Sequence, residues 1–352
     1  MTQYDNVYPA IPTAPPNDRR TWLVVFGVFA LIIGGLSACL TILTPLGLLM
    51  AGAMPRQPGT PPPPDWRTAI SAVVVYGVVA GAFIAGGVAS IRARRWARPF
   101  MLSVAWTWLL LGIVGSVFLI ALMPSMGEQM ASPTSTTPGP VMPGEFQGII
   151  VGFIAAVSFV LYLVLPTIFI LFYRSPHVRT TLEFYDPAPG WSDRAPVSVF
   201  GLALGLAVSA LFVLPMLAHG MFPLFGVLLR GPVAIIATLA TAALLGIAAW
   251  LVFRLSMAGW WLTMAISIVL PVTMIVSAQR IGVVKMYEAM GMPAEQVEPL
   301  RKNSLIQGPL IPAATALLGL AGIAYLLAVR KFFVSSSGSE GTADSGVAPT
   351  PP

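Results

Sequence analysis

Eight apolar stretches recur along the chain, at Trp22–Thr44, Ala69–Ile91, Pro99–Met123, Gly148–Phe172, Val197–Leu217, Val233–Phe253, Gly259–Val276 and Leu310–Val329. Each approaches the roughly 20 residues that a helix needs to cross a hydrocarbon core. None carries Lys, Arg, Asp or Glu away from its ends. The pattern predicts an all-α, polytopic transmembrane bundle of about eight spans. Polar segments divide it into a disordered arm over 1–18, a first four-helix half over 19–173, a connecting loop over 174–196, a second four-helix half over 197–333 and a disordered tail over 334–352. The first apolar run, Trp22 to Met50, is too long for the h-region of a cleaved signal and reads as an anchor.

The connecting loop is the one well-charged link between the halves. Ser175-Pro176 is a helix start, with serine at the cap and proline at the first helical position. Val178 and Leu182, four apart, predict a short surface helix, followed by turns at Asp186-Pro187 and Pro189-Gly190. Arg174, His177, Arg179, Trp191, Asp193 and Arg194 are its candidate interaction residues. An ordinary connector between helices is the plainer reading.

Within the spans, small residues recur every fourth position at Gly77, Gly81 and Ala85, at Gly148, Gly152 and Ala156, and at Gly201, Gly205 and Ser209. Such stripes let helix backbones approach, within one chain or between chains. Pro45, Pro166, Pro215 and Pro271 mark expected kinks. Met221–Leu229 is too short to cross again, so it is expected to lie flat or to dip back as a re-entrant segment. Outside the spans, Pro58–Pro64 reads as extended polyproline and Ser132–Gly144 as a mobile spacer. Pro293–Asn303 reads as a short helix ending near Pro299.

Composition agrees with the pattern: 57% of residues are hydrophobic and only 9% charged, which a water-soluble core of ordinary shape cannot accommodate. The basic excess, 19 Lys+Arg over 13 Asp+Glu, sits at helix ends and in loops and forms no stripe for nucleic acid. With the N-terminus inside, the cytoplasmic face receives Arg19, Arg20, Arg92, Arg94, Arg95, Arg98, Arg174, Arg179, Arg194, Arg254, Arg330 and Lys331. The other face holds Arg56, Arg67, Arg230, Arg280, Lys285, Arg301 and Lys302. The positive-inside rule then places both termini in the cytoplasm. The halves share a layout, each with a basic turn before its third span and an aromatic-basic close, which suggests a four-plus-four repeat or convergent interfacial chemistry. The single cysteine, Cys39, leaves no internal disulfide.

Candidate chemistry is sparse. The two histidines, His177 and His219, fall on opposite predicted faces, which argues against a zinc enzyme. No carboxylate or histidine lies within a span, as an ion-coupled carrier would use, and no phosphate loop or nucleophile elbow occurs. Met123, Met126, Met290 and Met292 are soft-ligand candidates for Cu(I) at the outer edge, although flexible apolar filler is the ordinary role of methionine there. No cofactor is expected. The expected partners are the lipid bilayer and a membrane or cytoplasmic protein.

The run Phe172-Tyr173-Arg174-Ser175-Pro176-His177-Val178-Arg179-Thr180, with Trp191-Ser192-Asp193-Arg194, Arg94-Arg95-Trp96-Ala97-Arg98 and Gly259-Trp260-Trp261, resembles a group of uncharacterised bacterial multi-pass membrane proteins. The resemblance covers most of the chain outside both tails. It implies a bacterial inner-membrane home and brings no activity. The expectation is therefore a non-enzymatic interaction or scaffold protein, the alternative a passive or partner-driven pathway for a small solute.

Overall fold

The computed structural model describes residues 17–53, 66–131, 144–292 and 294–339. In chain order, α1 (Arg20–Ala53), α2 (Trp66–Ile91) and α3 (Ala97–Ala131) are followed by α4 (Gly144–Phe159), which runs through a π-helical turn at Val160–Val164 into α5 (Leu165–Arg174). The surface helix α6 (Pro176–Tyr185) and a 3-10 turn at Trp191–Arg194 lead to α7 (Val197–Val213) and α8 (Met216–His219). A hairpin of β1 (Met221–Leu224) and β2 (Val227–Arg230) precedes α9 (Pro232–Phe253), α10 (Met257–Arg280), α11 (Val283–Ala289), α12 (Ala294–Lys302), α13 (Ser304–Gln307) and α14 (Leu310–Ser339). Among the described residues eight helices are long and apolar enough to cross a membrane, so the chain is an all-α, multi-pass membrane bundle.

Among the described residues two large hydrophobic cores form, with a smaller third at Ala278, Val283 and Met286. One gathers Leu23, Phe83, Met101, Phe169 and Tyr173, and the other gathers Val199, Leu245, Val252, Trp260, Leu326 and Phe333. In each half the first span packs on the second, the second on the third and the third on the fourth. The halves meet where α3 packs on α7. There a Cβ on Gly201 would come within 3.1 Å of Ser103 Oγ.

The helices α1 and α2 pack backbone against backbone. A Cβ on Gly27 would lie 2.9 Å from the Gly87 carbonyl oxygen, and one on Gly87 would lie 2.8 Å from that of Gly27. Gly27, Ala30, Gly34 and Ser37 form the buried stripe, and the small residues let two backbones meet without side chains between them. The stripe expected on α2 does not make this contact: Gly81 and Ala85 are exposed, and Gly77 meets only Thr41 at 3.8 Å. Gly148 and Gly152 on α4 face open space, as does Gly205 on α7.

The two turns before the third span of each half are built alike. Ala93 and Leu255 both adopt positive φ, at 50° and 57°. In each, the next residue's N–H reaches five residues back, Arg94 to Ala89 O and Ser256 to Leu251 O. This is the Schellman closure of a helix C-terminus, here made with residues other than glycine.

Several local expectations change. Met221–Leu229, expected to lie flat or dip back, folds as part of an antiparallel hairpin pairing Met221 with Arg230 and Leu224 with Val227. Its turn, Phe225-Gly226, has φ of 46° and 84°, the mirror-image geometry that suits the twist of paired strands. Pro45 and Pro271 lie inside unbroken helices, and the Pro271 ring packs where Gly319 of α14 leaves room. Pro215 separates α7 from α8, and Pro166 follows the π-helical turn. α12 continues past Pro299 to Lys302, and α14 continues past Phe333 to Ser339. Pro58–Pro64, 132–143 and most of the two tails lie outside the described residues.

Candidate functional site

The loop over 174–196 folds back onto the bundle and ties distant parts of the chain together. Ser175 has extended backbone and Pro176 opens α6, as the missing proline N–H and fixed φ favour. The inner face of α6, Val178, Thr181 and Leu182, is buried. Thr181 Oγ accepts the backbone N–H of Arg19 at 3.0 Å, and Tyr185 donates its O–H to Asp18 at 2.9 Å. The guanidinium of Arg20 lies over the Tyr185 ring.

Trp191 then joins the halves. Its ring sits 6.2 Å from Trp96 of the first half, and 5.6 and 6.2 Å from Phe200 and Phe253 of the second. The second half closes at the same end of the bundle, where Arg330 lies over Trp260 and Tyr325 donates to the Ser198 carbonyl. The ends at Asp18 and Phe333, both Schellman turns and the loop thus share one end, here termed the clasp. The hairpin lies at the opposite end.

Arg95 is the electrostatic centre of the clasp. It pairs with Glu183 at 3.6 Å and Asp193 at 3.2 Å, its backbone N–H donates to Asp186, and its side chain donates to the Pro187 carbonyl. Asp193 also accepts the Gly190 N–H at 2.8 Å, fixing the 3-10 turn. Arg179 bonds Glu183 at 2.8 Å one helical turn away. That carboxylate raises the already high pKa of Arg179, which stays charged. Arg98 points its Nε–H at the Tyr173 carbonyl. Tyr173 in turn is buried, with its hydroxyl 2.6 Å from Ser90 Oγ, and Ser90 donates to the Gly86 carbonyl. Arg95, Arg98, Arg179, Glu183, Ser192 and Asp193 are the polar lining of a cavity of about 220 Å³.

The candidate interaction residues therefore divide. Trp191, Asp193 and Arg179 make contacts within the chain, although the Trp191 ring remains 47% exposed. Arg174 is exposed, and the half-buried His177 uses its carbonyl to accept from Thr180 and Thr181. Arg194 ends the 3-10 turn, and its side chain lies outside the described residues. Arg95, Arg98, Glu183 and Ser192 complete the site and were not among the candidates. Only Glu183, four residues after Arg179, left a local signal.

The soft-metal candidates lie elsewhere. Met290 and Met292 follow α11, where the Met290 carbonyl lies 3.1 Å from His219 Nδ1. Met123 and Met126 belong to α3, but their side chains are outside the described residues. Among the described residues no three His, Cys, Asp or Glu side chains cluster. A second cavity, of about 230 Å³, lies beneath the hairpin between α9 and α10. It is apolar, with Phe222 and Leu224 above and Leu245, Leu262 and Thr273 within its walls.

No protein-family model, no curated protein and no solved structure matches the chain.

Proposed function

We propose that this is a non-enzymatic interaction or scaffold protein of the bacterial inner membrane, with the clasp and both chain ends in the cytoplasm. The observation that carries the reading is the fourth span, Gly148–Arg174, whose most apolar window has no buried residue. Gly148, Gly152 and Ala156 lie exposed along it, a flat face on which a partner helix gains close contact that lipid tails cannot match. Ser103, Thr238 and Thr263 inside the bundle each donate to a carbonyl of their own helix. The orientation is supported by the arginines gathered at the clasp, and the bacterial membrane by the resemblance of the motifs.

The test is in-membrane crosslinking of Ala156→Cys in a Cys39→Ser background. The expected outcome is a discrete adduct with another membrane polypeptide, absent when the cysteine replaces Leu211, an exposed residue of α7. Equal labelling at both positions overturns the reading.

The apolar cavity beneath the hairpin favours a second reading, a passive pathway for a small solute. Solute flux through proteoliposomes containing the purified protein alone would establish that pathway and displace the scaffold.

A further inference from the structure

We propose that the clasp cavity is a binding site for a phosphate group, with Arg98 and Ser192 as its principal ligands. Ser192 is 2% exposed and lines the cavity, and its hydroxyl has no hydrogen-bond partner among the described residues. Buried hydroxyls are almost always bonded, so an unpartnered one in a cavity wall points to something that enters the cavity.

The charges support an anion. Arg95 faces two carboxylates and Arg179 faces one. Arg98 makes no ion pair among the described residues, Glu183 acting on it only at longer range, and it spends only its Nε–H, on the Tyr173 carbonyl. The N–H groups at its two terminal nitrogens are left for a ligand. Three guanidiniums against two carboxylates leave the lining with one positive charge in excess, which a phosphate monoanion or diester neutralises. Glu183 and Asp193 also face the cavity, and their charge selects against more highly charged anions.

The backbone contributes as well. Pro196 and Val197, at the start of α7, line the cavity, and no side chain caps this 17-residue helix. Its first N–H groups and its dipole favour an anion at that position. About 220 Å³ admits a phosphate with part of its substituent but not a nucleotide. The cavity opens at the end of the bundle where arginine and tryptophan meet, the depth of lipid headgroups. The phosphate therefore belongs either to an anionic lipid or to a small soluble ester, and the experiment separates them.

Full-length protein in a maltoside detergent is titrated with inorganic phosphate, or with phosphatidylglycerol in mixed micelles, against chloride at equal ionic strength. Thermal unfolding is followed by tryptophan fluorescence, and bound lipid by native mass spectrometry. The expected result is protection beyond that given by chloride. Arg98→Gln should weaken it about tenfold or more, the loss of one charge-assisted hydrogen bond. Ser192→Ala provides the signature that a purely structural role cannot give: the unliganded protein is as stable as the wild type or more so, yet its phosphate affinity falls. Should Arg98→Gln fail to fold, Arg98→Lys, which keeps the charge and loses the forked geometry, replaces it. Protection by phosphatidylglycerol alone assigns the site to a lipid headgroup, and protection by both assigns it to the phosphate group itself. Equal protection of wild type and Ser192→Ala, or protection no greater than chloride gives, overturns the proposal.

Discussion

The two ends of the bundle are held by different means. At the clasp, contacts join residues far apart in the chain: Arg19 with Thr181, Arg95 with Glu183 and Asp193, Trp191 with Phe253. At the hairpin end the bonds stay within the second half, the His219 ring with the Met290 carbonyl and the Gly226 N–H with Ser277 among them. Arg301 pairs with Glu288 and Glu298 of its own small helices, and β1 pairs with β2 across one turn. Long-range links fix how whole spans sit against one another, whereas short-range ones shape only the segment that contains them. The clasp therefore holds the halves in register, and the bonds at the hairpin end hold elements of the second half together.

Substitutions can break that contrast in order of expected size. Gly259→Ala at the clasp end is the largest, because the new methyl would lie 2.7 Å from backbone atoms of Leu251 and Val252. Overpacking against backbone that cannot yield should cost about 3 kcal/mol, read from thermal unfolding in detergent. Trp191→Ala removes three ring contacts between the halves but from a half-exposed site, so about 2 kcal/mol is expected, with the two halves unfolding in separate steps. The smallest contrast is ionic. Arg95→Ala should cost about 1 kcal/mol, while Arg301→Ala, an exposed pair, should cost at most about 0.5 kcal/mol and lose its effect in high salt. Equal losses for the two arginines would remove the distinction between the ends.

Much of the architecture was legible because membrane spanning is written as long uncharged runs. Ile91 and Phe253 close their spans as expected. The hairpin was hidden because its turn is Phe225-Gly226 rather than Asn-Gly, and because Pro223 within β1 argues against a strand. The α1 stripe escaped because Gly27, Ala30, Gly34 and Ser37 alternate spacings of three and four, whereas the sought pattern repeats every fourth residue. The clasp cavity could not be read at all. It exists only where Arg98, Glu183, Ser192 and Val197 meet in space, and Ser192 differs from the other buried serines only in having no partner among the described residues.

The bond from Arg19 to Thr181 spans 162 positions of sequence. During synthesis the first span must therefore wait, inserted but untethered at its head, until nearly half of the polypeptide has followed it out of the ribosome. The glycine-lined seam with its immediate successor gives it a companion during that interval. Closure of the clasp is then a late event in biogenesis, and a chain truncated before residue 181 should insert its early spans yet leave its starting residues open to protease.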